Sequence, residues 1–387
     1  MHIAFIGQKG IPALTGGVER YVEEVSARLA ERGHKIFVYS RKQYAHSAYH
    51  RGVRCVRTWH LPGKYFATIT HTLSSVGHLL FRKAGVDIIH VNSVGPALLM
   101  PFVRGVLMGQ VLVTGRRPTV VFTFHSADWE HSKWGPFARA MLRLGAWCGR
   151  VSADQVVYVS QDMLDRFGSQ EKGVYIPNGT EMESTTQTDD LHALGVTEGS
   201  YVLFAGRLVS HKHVHTLIQA FKQSSVAGRY TLVIAGEHAD TPEYAAHLEE
   251  LAQGENSIRF VGNQSGDSLQ QLFSHAAAYV LPSSSEGLSV SLLEATGMGI
   301  PAIVSDISQN REVVTSHAEL VRPGYVTDLQ EALENVFQDP SAARARAQEL
   351  QNVVRAQYSW KRVVDDLEQL YTQDMPTSRV TDYSYVA

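Results

Sequence analysis

The chain holds only two cysteines, Cys55 and Cys148, among 387 residues. They stand far apart and in no C-x-x-C spacing, which argues against a disulfide framework or a cysteine zinc site and fits a reducing cytoplasm. Charge is sparse as well: Asp, Glu, Lys and Arg make up 19% of residues against 44% apolar. With no low-complexity stretch beyond a polar patch near 184–190, a globular soluble protein is expected. No apolar run approaches the roughly 18 residues of a membrane span. The apolar start Met1-His2-Ile3-Ala4-Phe5-Ile6 breaks at Gly7, too early for a signal-peptide core. No H-E-x-x-H occurs, and the first glycine-containing loop does not have G-x-G-x-x-G spacing.

What is present is length enough for about two domains and an alternation of strand-like and helix-like stretches. The opening reads strand (Ile3 to Gly7), glycine-containing loop (Gly10 to Gly17), amphipathic helix (Val18 to Leu29) and second strand (Lys35 to Ser40), a β-α-β unit. Runs at 86–91, 120–124 and 155–159 continue as strands, with helices at 66–83 and 136–148. After Ile176-Pro177-Asn178-Gly179 a polar stretch, 179–199, has the composition of an interdomain linker. The rhythm then restarts, with strands at 201–205, 232–235, 258–261, 278–281 and 302–304 and helices at 215–223, 241–253, 267–276 and 289–298. Such alternation predicts parallel sheets covered on both faces, hence two Rossmann-type domains in tandem, 1–178 and 200–358. A last helix over 359–373 precedes a polar tail, 374–387, expected to be mobile.

Charge is divided unevenly. Residues 1–150 hold 20 Lys and Arg against 7 Asp and Glu, net +13, leaving a net of −16 for the rest. So large a split suggests that one half meets an anionic partner. The segment Trp59 to Lys83, which mixes aromatic and aliphatic residues with Lys64, Arg82 and Lys83, suits an anionic membrane surface.

In open parallel sheets ligands sit beyond the carboxyl ends of strands, so the loops that follow strands are where chemistry is expected. Four stand out. Gly7-Gln8-Lys9-Gly10 with Gly16-Gly17-Val18-Glu19 lets backbone approach a ligand, and the helix that follows favours negative charge. Gly206-Arg207 and Lys212 pair a planar fork with a point charge, a combination that grips phosphates. In that loop His211, His213 and His215 resemble metal ligands, but no fourth ligand stands at a recognisable spacing, and no metal site is expected. In the third loop, Glu286-Gly287-Leu288-Ser289 leads into a helix that carries Glu294 about two turns on, where both carboxylates can accept hydrogen bonds from one hydroxyl-rich ligand. The fourth places His125-Ser126-Ala127-Asp128-Trp129 after strand 120–124.

These elements resemble glycosyltransferase family 4. Glu286 and Glu294 fit its E-x7-E motif, and Gly206, Arg207 and Lys212 its G-R-x(4)-K loop; where the family usually has glycine after that lysine, this chain has His213. The resemblance runs from the first loop through Ile176-Pro177-Asn178-Gly179 to Tyr358-Ser359-Trp360. Gly95-Pro96, Asp128-Trp129 and Lys133-Trp134-Gly135 make the first half most similar to the rhamnosyltransferase-like branch of bacterial surface-polysaccharide assembly, although that branch commonly has His-Gly at His125-Ser126.

The resemblance implies an α/β, GT-B architecture: two Rossmann-like domains with parallel sheets facing a central cleft, an N-terminal acceptor domain, a C-terminal nucleotide-sugar domain and a final helix that crosses back. It implies a metal-independent, retaining glycosyltransferase with no cofactor, which moves a hexose or deoxyhexose from a nucleotide-diphosphate sugar to an acceptor hydroxyl. Arg207 and Lys212 would neutralise the donor diphosphate, and no D-x-D is present to recruit a cation. Glu286 would hydrogen-bond the sugar hydroxyls and Glu294 the ribose, with Gly206, Gly287, Leu288 and Ser289 also at the donor. Gly16 and Gly17 would lie against the diphosphate and acceptor, and His125 would touch and orient the sugar. The expected acceptor is a glycan, carried on a lipid at an anionic inner membrane surface, with the enzyme cytoplasmic or peripheral there and with no nucleic-acid partner. The alternatives are transfer to a soluble small-molecule acceptor, an epimerase of similar fold, a non-catalytic sugar-nucleotide-binding protein, and a dehydrogenase in which Arg41 meets a 2′-phosphate.

Overall fold

A computed structural model describes residues 1–63, 66–80, 85–114, 118–131, 134–169, 171–237 and 242–372. Lys64, Arg82, Lys83, Lys133 and the tail 374–387, singled out above, lie outside the described residues. The chain forms two compact units. One contains Met1–Asn178 and the chain from Trp360 on; the other is Gly179–Ser359.

The first unit is built on strands β1 (His2–Ile6), β2 (Lys35–Arg41), β3 (Tyr49–His50), β4 (Val53–Thr58), β5 (Ile88–Asn92), β6 (Thr119–Phe124), β7 (Gln155–Tyr158) and β8 (Gly173–Tyr175). They lie in the order β3-β4-β2-β1-β5-β6-β7-β8, and only β3 is antiparallel to its neighbour. The central strands are near-continuous apolar runs because helices cover both of their faces. Ile3, Phe5, Val38, Ile89, Val121 and Val157 are all buried. Strand β4, Val-Arg-Cys-Val-Arg-Thr, has no counterpart among the expected strands, since its two arginines break the apolar run. Its two arginines are exposed while Val53, Cys55, Val56 and Thr58 are buried.

The helix Trp360–Thr372 closes this unit. Trp360, Val363, Val364, Leu367, Leu370 and Tyr371 recur at helical spacing and join the core of Ile3, Tyr21 and Val25. Its polar side is tied down where the Arg32 guanidinium meets Asp365 at 2.6 Å and Glu368 at 2.8 Å.

The second unit has strands β9 (Tyr201–Ala205), β10 (Thr231–Ala235), β11 (Ile258–Gly262), β12 (Ala278–Leu281), β13 (Ala302–Ser305) and β14 (Glu319–Val321), all parallel, in the order β11-β10-β9-β12-β13-β14. Central β9 is wholly buried, whereas edge strand β11 is half exposed. This is the doubly wound arrangement whose strand order reverses once, between its first and fourth strands.

Further features of the second unit depart from the sequence expectation. The 179–199 stretch is not a free linker but packs on the second unit. It carries a short helix, Asp189–Ala193, with Leu191 fully buried, and the Asp190 and Thr185 amides donate to Gln271 Oε1 and Ser274 Oγ, both at 2.9 Å. Helices Val326–Gln338 and Pro340–Gln357 were not expected. The second buries only Ala343, Ala347, Leu350 and Val354, so half of its apolar stripe is alanine.

All five tryptophans, Trp59, Trp129, Trp134, Trp147 and Trp360, lie in the first unit, so tryptophan fluorescence follows that unit alone. Leu367→Ala, which empties a fully buried position, should destabilise it by about 2–5 kcal/mol. Denaturant titration read by tryptophan emission checks this, and an unchanged midpoint would show that the terminal helix contributes little to that core.

Candidate active site

In each sheet the residues singled out gather where neighbouring strands lead their connections in opposite directions, the position at which open α/β sheets bind ligands. In the second unit that point lies between β9 and β12, which are hydrogen-bonded neighbours. The loop after β9 contains Gly206 and Arg207, then the 3-10 turn Ser210–Lys212. The loop after β12 contains Ser283 to Ser289 and leads into the helix Val290–Gly297, whose N-cap, Ser289, accepts a hydrogen bond from the Leu292 amide at 3.4 Å.

Side chains and backbone join the two loops. Lys212 Nζ donates to Glu286 Oε1 at 2.5 Å, with only 10% of either side chain exposed. The Ser284 amide donates to the His211 carbonyl at 2.8 Å. Glu294 and Ser289 are buried beside them on the helix, and Leu288 is buried in the loop. Arg207 is partly exposed, and its guanidinium has no hydrogen-bond or ion-pair partner among the described residues. The site therefore combines one neutralised cation with one open to a ligand. The loop packs tightly at Gly206: a Cβ on neighbouring Gly236, which sits at φ +158°, would fall 1.9 Å from the Gly206 carbonyl oxygen. Buried Ser283 keeps a hydroxyl without a partner among the described residues; nothing in the sequence beyond its place at the strand end distinguishes it.

His213 explains the departure from the family loop. It lies at φ 51°, ψ 34°, in the left-handed region that favours glycine. Histidine is tolerated there better than most side chains. His211, His213 and His215 do not converge: His213 stacks near His215 with ring centres 5.2 Å apart, and His215 Nδ1 pairs with the Tyr244 hydroxyl at 2.8 Å. Among the described residues, no group of three or more His, Cys, Asp or Glu is placed to hold a metal ion.

In the first unit the reversal lies between β1 and β5, with β6 beside β5. Gly16, at φ 97°, is the N-cap residue of the helix Gly17–Glu31. Glu19 in its first turn accepts a hydrogen bond from the Lys9 amide at 3.0 Å, and Glu23 one from the Ala13 amide at 3.2 Å, so two carboxylates of the chain itself shape the glycine loop. Arg41, at the end of β2, donates to Thr68 Oγ1 at 3.1 Å.

His125 follows β6, buried edge-on against the Tyr21 ring with ring centres 4.9 Å apart. Its Nε2 lies 3.0 Å from Asn92 Oδ1. The orientation of that amide follows from its other contacts. Gln8 Nε2 donates to the Phe5 and Tyr39 carbonyls at 3.0 and 2.9 Å, leaving Gln8 Oε1 to accept from Asn92 Nδ2 at 3.4 Å. Asn92 Oδ1 therefore faces His125, which must carry its proton on Nε2 and keep a lone pair on Nδ1. Gln8 and Asn92 went unrecognised as site residues. The strand-end rule applied to β5 would have reached Asn92, but nothing in the sequence connects Gln8 to His125.

With this geometry in view, the comparisons decide the family. Residues 15–184 match the family model "Glycosyltransferase Family 4", and residues 189–353 match "Glycosyl transferases group 1". The chain is a GT-B glycosyltransferase. The glycogen synthase of Mycobacterium tuberculosis is 27% identical over 96% of this chain and 94% of that protein. A Corynebacterium glutamicum GDP-mannose-dependent monoacylated alpha-(1-6)-phosphatidylinositol monomannoside mannosyltransferase is 25% identical over 90% and 92%. Anabaena HepE, crystallised with UDP-glucose, shares the fold at 17% identity, covering 96% of this chain and 100% of that one, with a TM-score of 0.79. In this glycosyltransferase Arg207, Lys212, Glu286 and Glu294 lie within the group 1 match, and Gly16, Gly17 and His125 within the family 4 match.

Burial pushes His125 down to about 3 and His90, beneath it, also to about 3; burial first, then the nearby Arg41 charge, takes His71 to about 4. All three are neutral at working pH. Because the unfolded chain regains protons near pH 6.5 and the folded one does not, their contribution to stability is complete above about pH 6.5 and shrinks as pH falls. Each should cost about 2 kcal/mol between pH 6.5 and 5. The tryptophan-detected midpoint should drop over that range, and His90→Gln should flatten the drop; equal midpoints for the wild type at both pH values would contradict neutral buried histidines.

Proposed function

We propose that the protein is a retaining, metal-independent glycosyltransferase that moves a hexose or deoxyhexose from a nucleotide-diphosphate sugar to the hydroxyl of a lipid-linked glycan. The observation that carries this is the Lys212–Glu286 pair with Arg207 and Glu294 beside it, at the strand-order reversal of the half that matches the group 1 model. Arg207 and Lys212 hold the donor diphosphate and stabilise the charge that grows on it as the sugar leaves, a role that preorganised cations perform without a metal. Glu286 accepts hydrogen bonds from the sugar hydroxyls and Glu294 from the ribose. Gly206, Gly287, Leu288 and Ser289 line the donor, and Gly16 and Gly17 admit its diphosphate and the acceptor.

His125, neutral and with its lone pair on Nδ1, accepts a hydrogen bond from a sugar hydroxyl and orients it. The acceptor attacks the anomeric carbon from the face the diphosphate leaves, and the departing phosphate oxygen takes the acceptor proton. No side chain serves as nucleophile, and the configuration is retained. The +13 of residues 1–150 and the relative named for a phosphatidylinositol mannoside acceptor support an acceptor borne on the inner face of an anionic membrane.

A panel of nucleotide sugars, with products read by mass spectrometry and proton NMR, tests the reading. The new linkage should keep the donor's anomeric configuration, and turnover should survive excess EDTA. An inverted product, or activity that returns only with Mg²⁺ or Mn²⁺, would overturn the mechanism. Arg207→Ala and Lys212→Ala should each lower turnover by on the order of a hundredfold with little change in melting temperature. Wild-type turnover in both would remove the diphosphate assignment.

A further inference from the structure

The connections from β4 to β5, β5 to β6 and β6 to β7 all run in one direction across the first sheet. Right-handed crossovers place their helices, Phe66–Leu80, Met100–Thr114 and Pro136–Ser152, on a single face. The helix Gly17–Glu31 runs the opposite way and packs with Trp360–Thr372 on the other face. The composition of the two layers differs sharply. Gly17–Glu31 and Trp360–Thr372 carry seven acidic and four basic residues, whereas the three helices of the first layer carry four arginines and no acidic residue.

The outer side of that first layer is apolar. Gly145 presses the helix Pro136–Ser152 onto the short helix Val94–Ala97 and Gly149 presses it onto β6, so closely that a Cβ would fall 2.2 Å from the Val94 carbonyl oxygen and 2.6 Å from the Phe122 ring. With that side fixed inward, Phe137, Leu144, Trp147 and Val151 repeat along the opposite side, 79, 41, 51 and 56% exposed. Phe66 and Leu73 on the first helix and Phe102 on the second are exposed as well. Arg104 is held by Asp154 at 2.9 Å, while Arg143 beside the stripe is exposed.

We infer that this helical layer is the surface on which the enzyme lies against an anionic lipid bilayer. Aromatic and aliphatic side chains enter the headgroup boundary, and exposed Arg143 meets lipid phosphate, as interfacial helices with a basic polar side do. The inference rests on the membrane-borne acceptor proposed above and names the face that would meet the membrane. Charge favours a lipid surface over a second copy of the chain. A two-fold contact would bring this face, with its exposed Arg143, against itself, and none of the three helices carries a carboxylate to offset that charge.

Co-sedimentation with phosphatidylcholine vesicles, with and without phosphatidylglycerol, compares the wild type with Leu144→Ser/Trp147→Ser. The wild type should pellet with the anionic vesicles and be released by salt. The variant's bound fraction should fall at least about tenfold with its melting temperature unchanged. If variant and wild type pellet equally, this face is not the contact, although the membrane reading stands. If the wild type stays in the supernatant with anionic vesicles at low salt, that reading falls as well. Sedimentation velocity without lipid covers the rival occupant: a dimer that the double substitution dissociates, with vesicle binding unaltered, would assign the face to a second copy and overturn the inference.

Discussion

The contact on which the second unit's site depends is the Lys212–Glu286 ion pair. Each group is largely withdrawn from water, where an unpartnered charge would be costly, so each holds the other in place. Because one partner comes from the loop after β9 and the other from the loop after β12, the pair spans the point where the strand order reverses, and the Ser284–His211 backbone bond repeats the link. In the proposed reaction a diphosphate takes over part of Glu286's role towards Lys212. The carboxylate is then free to turn to the sugar hydroxyls, and donor binding exchanges one charge-assisted hydrogen bond for others instead of burying a new charge.

His213 shows how far backbone shape, more than residue identity, governs the same loop. A left-handed conformation costs most L-residues about 1–2 kcal/mol, which glycine avoids. Here the imidazole recovers contacts that glycine lacks: it packs by the ring of His215 and approaches Gly324, whose added Cβ would come within 3.2 Å of His213 Cε1. The loop can thus keep the turn that a glycine would make, and Lys212 reaches Glu286 across it.

Much of the fold was legible because buried parallel strands are written as short apolar runs, and β1, β5, β6, β9 and β12 are of that kind. Strand β4 was not, because its arginines interrupt the run, nor was the helix Pro340–Gln357, which packs through alanines. In the candidate site, Arg207, Lys212, Glu286 and Glu294 could be picked out from the loop positions and spacings of charged residues near glycine and serine. Asn92 and Gln8 could not, because an amide that orients a distant histidine leaves no periodicity or spacing behind. The segment 179–199 looked like a linker by composition, yet buried Leu191 and Val196 and hydrogen bonds that include the Thr185, Asp190 and Gly199 amides hold it against its unit.

The buried polar groups at β5 and β6 differ from those of the second unit's loops, and this constrains what each can contribute. The second unit gathers formal charge at its strand ends, suited to a ligand that brings its own. At β5 and β6 the first unit buries neutral polar groups: His90 lies between the Tyr371 hydroxyl and Thr123 Oγ1, each at 2.5 Å, and His125 lies above Tyr21. The proton position on His125 is inherited through Asn92 and Gln8 from two backbone carbonyls in β1 and β2, so it is fixed by the sheet rather than by solvent pH. An imidazole so constrained is poorly suited to deliver a proton to a leaving group, but it offers a steady hydrogen-bond acceptor to a hydroxyl. In the proposed reaction, where the phosphate itself takes the acceptor's proton, that is the part left for the first unit.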